Sequence, residues 1–466
     1  MKANLSLLII FLLATFNALV FSQDKTLSIN QLMQIVREHH PVIQKAVFNV
    51  RVNEAEVLKA KSGFEPVLST TFSEKRMEGI DYYSNLYPNL SIPTWFGVDV
   101  NAGVSDLSGL NVDPTQTFGQ SNYLGVNIPL LKGLLMDKRR ATLKQSKIFY
   151  EMSETEKTVV VNDVLREAVE RYWNWVKAYE MKKVVLTMLE LNESKMDFVR
   201  RSFFNGEKAQ VDTLESYTQL LFFQSKLIDA DNKLYKSKMY LSLYCWKDGV
   251  PIDLDDDVVP DEVWKDFDQI DDSYLFGLVD SVYVNHPAVR LFDFKSDVLE
   301  IEKKLKFQQL LPRLDFYYNQ LGQGYDIWQN IQKHNYFQDN YQYGLKLELP
   351  MMLMKGRAGY RIAKLKIEQN NLDYIYKSQE VLVNFKALMN EYQTQKQQLS
   401  IQKNIYNNYQ YLVEVERMKL ENGESALFFV NTRENKAMDY LEMWIDVQVK
   451  FNQTRYNILW AAGKLN

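Results

Sequence analysis

The second half of this chain repeats the first. His40-Pro41 to Leu68 aligns without a gap with His286-Pro287 to Leu314. Two later matches keep the same order: Pro129-Leu130-Leu131 with Pro350-Met351-Met352, and Asn205-Gly206-Glu207 with Asn422-Gly423-Glu424. An ordered repeat of this length indicates a duplicated structural unit. The chain is therefore predicted to consist of a first repeat over residues 23–247, a linker over 248–273 and a second repeat over 274–466.

The N-terminus predicts export. Lys2 precedes an apolar run from Leu5 to Phe21, and Val20-Phe21-Ser22 forms a cleavage site before Gln23, as in a secretory signal peptide. Residues 1–22 are therefore predicted to be removed. No later stretch approaches the roughly 20 apolar residues of a membrane helix. A mature protein that enters a bilayer would have to do so as strands.

Composition excludes several classes of function. The net charge of −4 gives no basic field for nucleic acid. Cys245 is the single cysteine, so no intrachain disulfide is possible, and it is predicted to be a small buried apolar residue. The histidines at 39, 40, 286 and 334 lack metal-ligand spacing, and no phosphate-binding loop or nucleophile motif occurs. We therefore predict no metal, no cofactor and no enzymatic activity.

Two very long helices are predicted, one in each repeat. They cover about residues 137–205 and 361–422, with apolar residues every seven positions, including Ala168, Trp175 and Leu189 in the first. Sustained heptads favour supercoiled helices. Each helix ends at an Asn-Gly pair, a strong C-terminal stop, and is followed by a return helix with its own heptads. The predicted hairpin tips lie near residues 205–209 and 422–426.

Strand-like alternation replaces the helical period at about residues 66–129 and 312–350. Apolar residues alternate with polar ones and tyrosines lie at the rims, as in membrane β-barrel strands. We predict two strands in each segment, so four in the chain. Four strands cannot close, and lipid tolerates no unpaired edge, so several chains must assemble. The prolines at the changeovers between strand and helix are predicted hinges: Pro66, Pro129, Pro312 and Pro350.

The two repeats differ in the length between the changeover prolines. Sixty-two residues separate Pro66 from Pro129, whereas 37 separate Pro312 from Pro350. The excess around Asp81–Gln120 is rich in Asn, Gly, Pro and Tyr, and it is predicted to be an extracellular loop. The linker 248–273 is acidic but lacks the glycine and closing glutamate of a calcium loop. It is interpreted as a solvated connection.

These features together resemble the TolC-type outer-membrane efflux proteins. The specific matches are His39-His40-Pro41 and Asn285-His286-Pro287, the passages NIPLLKGLLMDKRRATLKQSK and ELPMMLMKGRAGYRIAKLK, and the tip segment RRSFFNGEKAQVDTLES. The resemblance covers about residues 27–463, and its specificity lies in the duplicated order of these motifs.

The resemblance implies an α+β, mostly helical channel-tunnel. Three copies would form a twelve-stranded barrel in the outer membrane, four strands per chain, continuing into a periplasmic α-helical coiled-coil barrel with an equatorial region at the linker. Such a protein is a passive exit duct of a tripartite efflux or type I secretion system. Its partners are two further copies of itself, outer-membrane lipid, a periplasmic membrane-fusion adaptor and an inner-membrane pump.

The resemblance also places two candidate sites near the hairpin tips. The adaptor-contact residues are Asn205, Gly206, Glu207, Asn422, Gly423 and Glu424. The candidate periplasmic gate comprises Arg200, Arg201, Glu414, Glu416, Arg417 and Glu421. The family's ring of aspartates has no clean match, because the second long helix carries glutamates in its last turns.

One alternative from a different class is a periplasmic coiled-coil scaffold or adaptor with no pore. In that protein the alternating segments would form a small soluble sheet. The outward Leu, Val, Ile and Tyr of both strand segments argue against it, because a soluble protein would have to cover them.

Overall fold

A computed structural model describes residues 26–465, except 111–115, 255–256, 262–271, 280–281, 283–284 and 333–339. The predicted signal peptide lies outside the described residues, as does much of the acidic linker. The chain divides into a helical unit, residues 1–46, 157–286 and 379–466, and a sheet unit, residues 47–156 and 287–378. Each unit therefore contains parts of both repeats.

The helices follow the predicted duplicated order. Within the described ranges they are α1 (Ile29–His39), α2 (Pro41–Lys61), α3 (Lys138–Phe204), α4 (Gln210–Ser242), α5 (Asp272–Gly277), α6 (Pro287–Gln308), α7 (Ile327–Gln332), α8 (Met354–Glu421) and α9 (Leu427–Ala461). The two predicted long helices are confirmed as α3 and α8, of 67 and 68 residues. Each is about 100 Å long at 1.5 Å per residue. Among the described helices, none is both long and apolar enough to cross a membrane.

The described strands fall into two groups, one in each unit. They are β1 (Thr26–Leu27), β2 (Val67–Met77), β3 (Ile80–Pro93), β4 (Asp99–Ser108), β5 (Gly119–Pro129), β6 (Trp246–Lys247), β7 (Val250–Pro251), β8 (Val259–Pro260), β9 (Arg313–Gln323) and β10 (Tyr341–Glu348). The short strands belong to the helical unit, where β1 pairs in parallel with β8 and β6 pairs with β7. The other six belong to the sheet unit.

The core of the helical unit lies where α1 packs against α3, close to the ends of α4 and α9. Leu32, Leu165 and Trp175 are fully buried there. The Tyr172 hydroxyl donates a hydrogen bond of 3.0 Å to the Leu27 carbonyl and so fixes the start of the first repeat on α3. Cys245 belongs to this core, as predicted, and burial raises the pKa of its thiol to about 12. A thiol with so high a pKa is unreactive at neutral pH.

The sheet unit contradicts two predictions. Its six antiparallel strands lie in the order β10-β9-β5-β4-β3-β2, rather than the four strands expected for the chain. The additional pair, β3 and β4, is formed by residues 80–93 and 99–108, most of the segment predicted to be an extracellular loop. The loop prediction is wrong because the Asn, Ser and Pro residues in β3 favour turns when they are considered locally. Cross-strand pairing decides the outcome instead.

Apolar side chains share one face of the whole sheet. The register places Leu68, Leu90, Ala102 and Leu124 in one continuous cross-strand row. A second row on the same face contains Ile92, Val100, Val126, Tyr318 and Tyr343. Side chains directly opposite each other in a ladder lie on the same face. This face therefore extends without interruption through β3 and β4.

Polar residues and glycines dominate the opposite face. One row contains Ser91, Asn101, Gly125, Asn319 and Gln342. In the neighbouring row the Tyr123 hydroxyl donates a 2.5 Å hydrogen bond to the Asn89 Oδ1 atom. The sheet thus has one face suited to lipid and one suited to water.

Candidate functional site

The two hairpin tips have the same backbone structure. At the end of α3 the amide of Glu207 donates to the Ser202 carbonyl at 2.9 Å and that of Gly206 to the Phe203 carbonyl at 3.0 Å. At the end of α8 the amides of Glu424 and Gly423 make the equivalent bonds, at 2.8 and 3.1 Å. These pairs are Schellman motifs, which need a left-handed residue after the helix. Gly206 and Gly423 supply it with φ angles of 81° and 78°.

All six predicted adaptor-contact residues are exposed. They lie at the two turns that join α3 to α4 and α8 to α9. Large apolar side chains flank both turns: Phe204 is 76 % exposed, and Phe428 is 59 % exposed. Exposed aromatic residues beside a polar turn are common in protein-binding surfaces. The sequence analysis identified the turns but missed these aromatic neighbours, although two adjacent phenylalanines lie near each turn, at 203–204 and at 428–429.

The four long helices of the helical unit meet near the tips in a polar cluster that is most buried at Glu434. We call it the tip cluster: Lys195, Glu215, Arg417, Asn431 and Glu434. Glu434 of α9 is 2 % exposed and Asn431 is 5 % exposed. Two cations and two carboxylates balance one another in the cluster, as buried charges require.

Contacts across the tip cluster fall into two groups. Within the second hairpin, the Arg417 Nη2 atom of α8 donates to the Glu434 Oε1 atom at 2.8 Å. Between the hairpins, the Lys195 ammonium of α3 contacts the other carboxylate oxygen of Glu434 and also donates to Asn431 at 3.0 Å. Asn431 in turn donates to Glu215 of α4 at 3.1 Å. Glu434 therefore links the two hairpins while retaining a partner within its own.

The contact of Lys195 with Glu434 requires the removal of a charged ammonium group from water. Burial lowers the pKa of Lys195, and the adjacent Glu434 carboxylate offsets this effect only in part. The protonated ammonium consequently loses more from desolvation than it gains from its partner. A buried ion pair of this kind fixes a geometry without adding much net stability.

The structure distributes the predicted gate residues unevenly. Arg417 belongs to the tip cluster. Glu416 accepts a 2.5 Å hydrogen bond from Ser425 and lies 3.9 Å from Arg433, so it connects α8 with the following turn and α9. Arg200, Arg201, Glu414 and Glu421 are exposed and lie outside the cluster. Two of the six predicted residues are therefore brought to the junction of helices, and four are not.

Sequence reasoning missed Lys195 and Glu434. A signal for Glu434 existed, because it lies four residues after Val430 and three before Ala437, on the apolar stripe of the return helix. A carboxylate on such a stripe needs a buried partner. The identity of that partner could not be predicted, because Lys195 is 239 positions away along the chain.

The four predicted hinge prolines lie at strand ends. Pro66 follows the 3-10 turn Ser62–Phe64 and precedes β2, Pro129 ends β5, Pro312 precedes β9, and Pro350 lies two residues beyond β10. Their positions mark each changeover, and their role as hinges stays a prediction.

No metal site accompanies these features in the described part of the chain, where no three His, Cys, Asp or Glu residues are grouped to hold an ion. His40 is buried, and its ring stacks on Tyr244 with 5.5 Å between ring centroids. His334 lies outside the described residues.

The fold is that of outer-membrane channels of known structure. The chain is similar to the CmeC outer-membrane channel of Campylobacter jejuni, with 13 % identity, 94 % of this chain and 86 % of that chain covered, and a TM-score of 0.66. The outer-membrane protein VceC of Vibrio cholerae has 11 % identity, coverage of 93 % and 96 %, and a TM-score of 0.68. These similarities confirm the TolC-type resemblance and a mostly helical fold that includes a sheet, whereas the trimer and the closed barrel stay predictions.

The chain is also similar to a channel whose structure was solved in the open state. The open state of the MtrE outer-membrane channel of Neisseria gonorrhoeae has 11 % identity, coverage of 94 % and 89 %, and a TM-score of 0.63. No protein-family model and no curated protein matches the sequence.

Proposed function

We propose that this protein is the outer-membrane exit duct of a tripartite efflux or type I secretion system. Three copies form a passive channel that runs from the outer membrane into the periplasm and catalyses no reaction. The amphipathic sheet, with one apolar and one polar face, is the observation that supports a membrane wall most directly. The similarity to channels over nearly the whole length of the chain supports the rest.

The tip cluster is the proposed gate. Opening separates the hairpin α8–α9 from the hairpin α3–α4, which breaks the contacts of Lys195 with Glu434 and Asn431 and that of Asn431 with Glu215. Glu434 keeps Arg417 during this movement, since both belong to the moving hairpin. Opening therefore leaves Glu434 paired, and its cost is lower than that of breaking an isolated buried ion pair.

The adaptor is proposed to dock at the exposed tips. The six turn residues and the flanking Phe204 and Phe428 would contact the adaptor, with the aromatic side chains as anchors in an apolar part of its surface. An inner-membrane pump, reached through the adaptor, supplies the energy for transport.

Two substitutions test the gate. Each removes one of the two cations that contact the Glu434 carboxylate. Lys195→Met removes the contact between hairpins, and Arg417→Met removes the contact within a hairpin. We expect Lys195→Met to raise the open fraction of single channels in a planar bilayer several-fold, with Arg417→Met as the matched control that leaves it near the wild-type value. Equal opening by both variants would mean that the cluster supports the fold without gating.

The location is tested separately. We expect the mature protein to sediment with outer membranes and to require detergent for release. Recovery of the protein in the soluble fraction after cell breakage without detergent would contradict the duct and favour the periplasmic scaffold.

A further inference from the structure

The strands β3 and β4 lie in the interior of the sheet, not at its margin. They separate β2 from β5, the two strands predicted for the first repeat. The second repeat has no counterpart, because β9 pairs directly with β10. The extra hairpin is thus an insertion of two strands into a four-stranded arrangement.

Both faces of the sheet continue through this insertion. On the apolar face β3 contributes Leu90 and Ile92, and β4 contributes Val100 and Ala102. On the polar face the Ser105 hydroxyl of β4 donates to the Asn85 Oδ1 atom of β3 at 3.2 Å. A loop folded over the outside of a barrel would not need this alternation, whereas a strand between lipid and a wet lumen does.

A glycine–tyrosine pair recurs on the polar face. Tyr123 of β5 covers Gly103 of β4, where an added Cβ atom would lie 2.5 Å from the ring. Tyr317 of β9 covers Gly344 of β10 in the same way, with 2.2 Å between such an atom and the hydroxyl oxygen. Each pair is directly opposite in the register. Aromatic cover of a glycine pins register in curved sheets, so β4 is built like the other strands.

Arginines at the start of α3 hold the turn between β3 and β4. The Arg139 Nη2 atom lies 2.9 Å from the Asp99 carboxylate. Arg140 donates to the Phe96 carbonyl of the turn at 3.4 Å and to the Leu134 carbonyl at 3.0 Å. The inserted hairpin is therefore anchored to the helix that follows the sheet.

The outer strands β2 and β10 leave two open edges in the described part of the chain. Leu68 and Phe72 on β2 are 74 % and 63 % exposed, and Leu345 and Leu347 on β10 are both 65 % exposed. Because the six strands alternate in direction, the two edges run antiparallel to each other. A second copy placed beside β10 can therefore continue the antiparallel ladder through its own β2.

We propose that the β3–β4 hairpin is part of the barrel wall and that β2 of each copy pairs with β10 of the next. Given the three copies of the proposed function, on which this inference rests, the closed barrel has eighteen strands, six from each chain. Barrel diameter grows roughly linearly with strand number, and barrels of about 16–18 strands enclose an aqueous channel. The membrane pore is then about one and a half times as wide as that of a twelve-stranded barrel, with Asn89 and Tyr123 among its lining residues.

Disulfide cross-linking tests the pairing in the full-length protein. In a Cys245→Ala background, cysteines replace Ser69, Thr71 or Ser73 on β2 and Gln342, Lys346 or Glu348 on β10, one from each strand. We expect oxidation to link copies into a covalent trimer for the combinations that belong to one antiparallel register. The matched controls replace Asn101 or Ser105 on β4 and are expected to give no link to β10 of another copy.

Each other result has a definite meaning. Links from β4 to β10 of another copy, with none from β2, would place β2 and β3 outside the wall and overturn the inference, while leaving the proposed duct intact. A particle mass of two copies with β2–β10 links would overturn the number eighteen. A monomer that never enters the membrane fraction would overturn the proposed function itself.

A deletion supplies a second measurement. Removal of residues 80–109 joins β2 to β5 by a short connection, as β9 is joined to β10. We expect this variant to assemble with a barrel of about two thirds of the wild-type diameter in electron-microscopic projections. An unchanged diameter would overturn the inference. If the deletion variant fails to assemble, the cross-links still decide the pairing.

Discussion

The two return helices of the duplicated hairpins have similar lengths and different surroundings. In α4, of 33 residues, the buried positions are few, and Ile228 and Tyr235 are 72 % and 62 % exposed. In α9, of 35 residues, buried positions recur along the whole helix, from Leu427 to Ala461. Duplication of a sequence therefore does not give two equivalent helices. The second copy supplies the more buried return helix of this unit, and Glu434, the most buried charge of the tip cluster, belongs to it.

The long helices show a closer correspondence. Tyr172 and Tyr392 are both 2 % exposed, and each ties a segment at or just before the start of its own repeat to its long helix. The Tyr172 hydroxyl donates to the Leu27 carbonyl, whereas that of Tyr392 donates to the Asp272 carboxylate, which Lys396 also contacts. The anchoring role is shared by the two repeats. The acceptor in the first is a backbone carbonyl, whereas the acceptor in the second is a carboxylate, which can be protonated as the pH falls.

The largest expected effect compares two isoleucines of the return helices. Ile458→Ala in α9 removes a fully buried side chain and should cost about 3 kcal/mol of stability. Ile228→Ala in α4 should cost less than about 0.5 kcal/mol. The thermal midpoints of the purified proteins in detergent measure the difference. An equally large loss for Ile228→Ala would mean that another copy buries α4 in the assembly.

Alanine substitution should lower the stability by the same amount at the two tip glycines. Gly206→Ala and Gly423→Ala each place a side chain at a left-handed φ angle with no neighbour within 4 Å. The loss should therefore come from the backbone alone, about 1–2 kcal/mol in each case. Thermal unfolding checks the magnitude, and Gly277→Ala, in open space without a positive φ, is the control. Unequal losses at the two tips would contradict their shared geometry.

Removal of the hydroxyl from each anchoring tyrosine should lower the stability by a different amount in the two repeats. Tyr172→Phe removes the hydrogen bond of 3.0 Å to the Leu27 carbonyl, which keeps only the Asp261 amide at 3.3 Å, and should cost about 1 kcal/mol. Tyr392→Phe should cost less, because the Asp272 side chain is 42 % exposed and retains the charged Lys396. A larger loss for Tyr392→Phe in the same thermal assay would show that the carboxylate depends chiefly on the tyrosine.

The smallest effect is the pH dependence of the second anchor. Hydrogen bonds from Lys396 and then Tyr392 lower the pKa of Asp272 below its ordinary value of 3.8. Because the folded pKa is the lower one, this contribution is present above the unfolded pKa and is lost as pH falls through the folded value. The side chain is 42 % exposed, so screening limits the contribution to about 0.3 kcal/mol.

Asp272→Asn tests this pH dependence. The stability advantage of the wild type over the variant should shrink as pH falls from about 5 to about 3, measured by thermal midpoints. An advantage that stays constant over that interval would contradict the titration of Asp272.

The sequence by itself determined the duplicated order, the two long helices, the Asn-Gly tips and four of the six strands of the sheet. It could do so because these features are local: a helix places residues seven positions apart on one face, and a strand places alternate residues on one face. The left-handed glycines after α3 and α8 follow from the same local chemistry.

The tertiary structure alone decided the rest. Pairing with β2 and β5 made strands of residues 80–93 and 99–108, although Pro88 and the surrounding asparagines favour a loop locally. Packing placed α9 among its neighbours and brought Lys195 to Glu434. Strand partners and charge partners lie far apart in sequence, so the residues near them along the chain do not specify them. They become neighbours only when the helices and strands pack, and that packing selects which charges are buried.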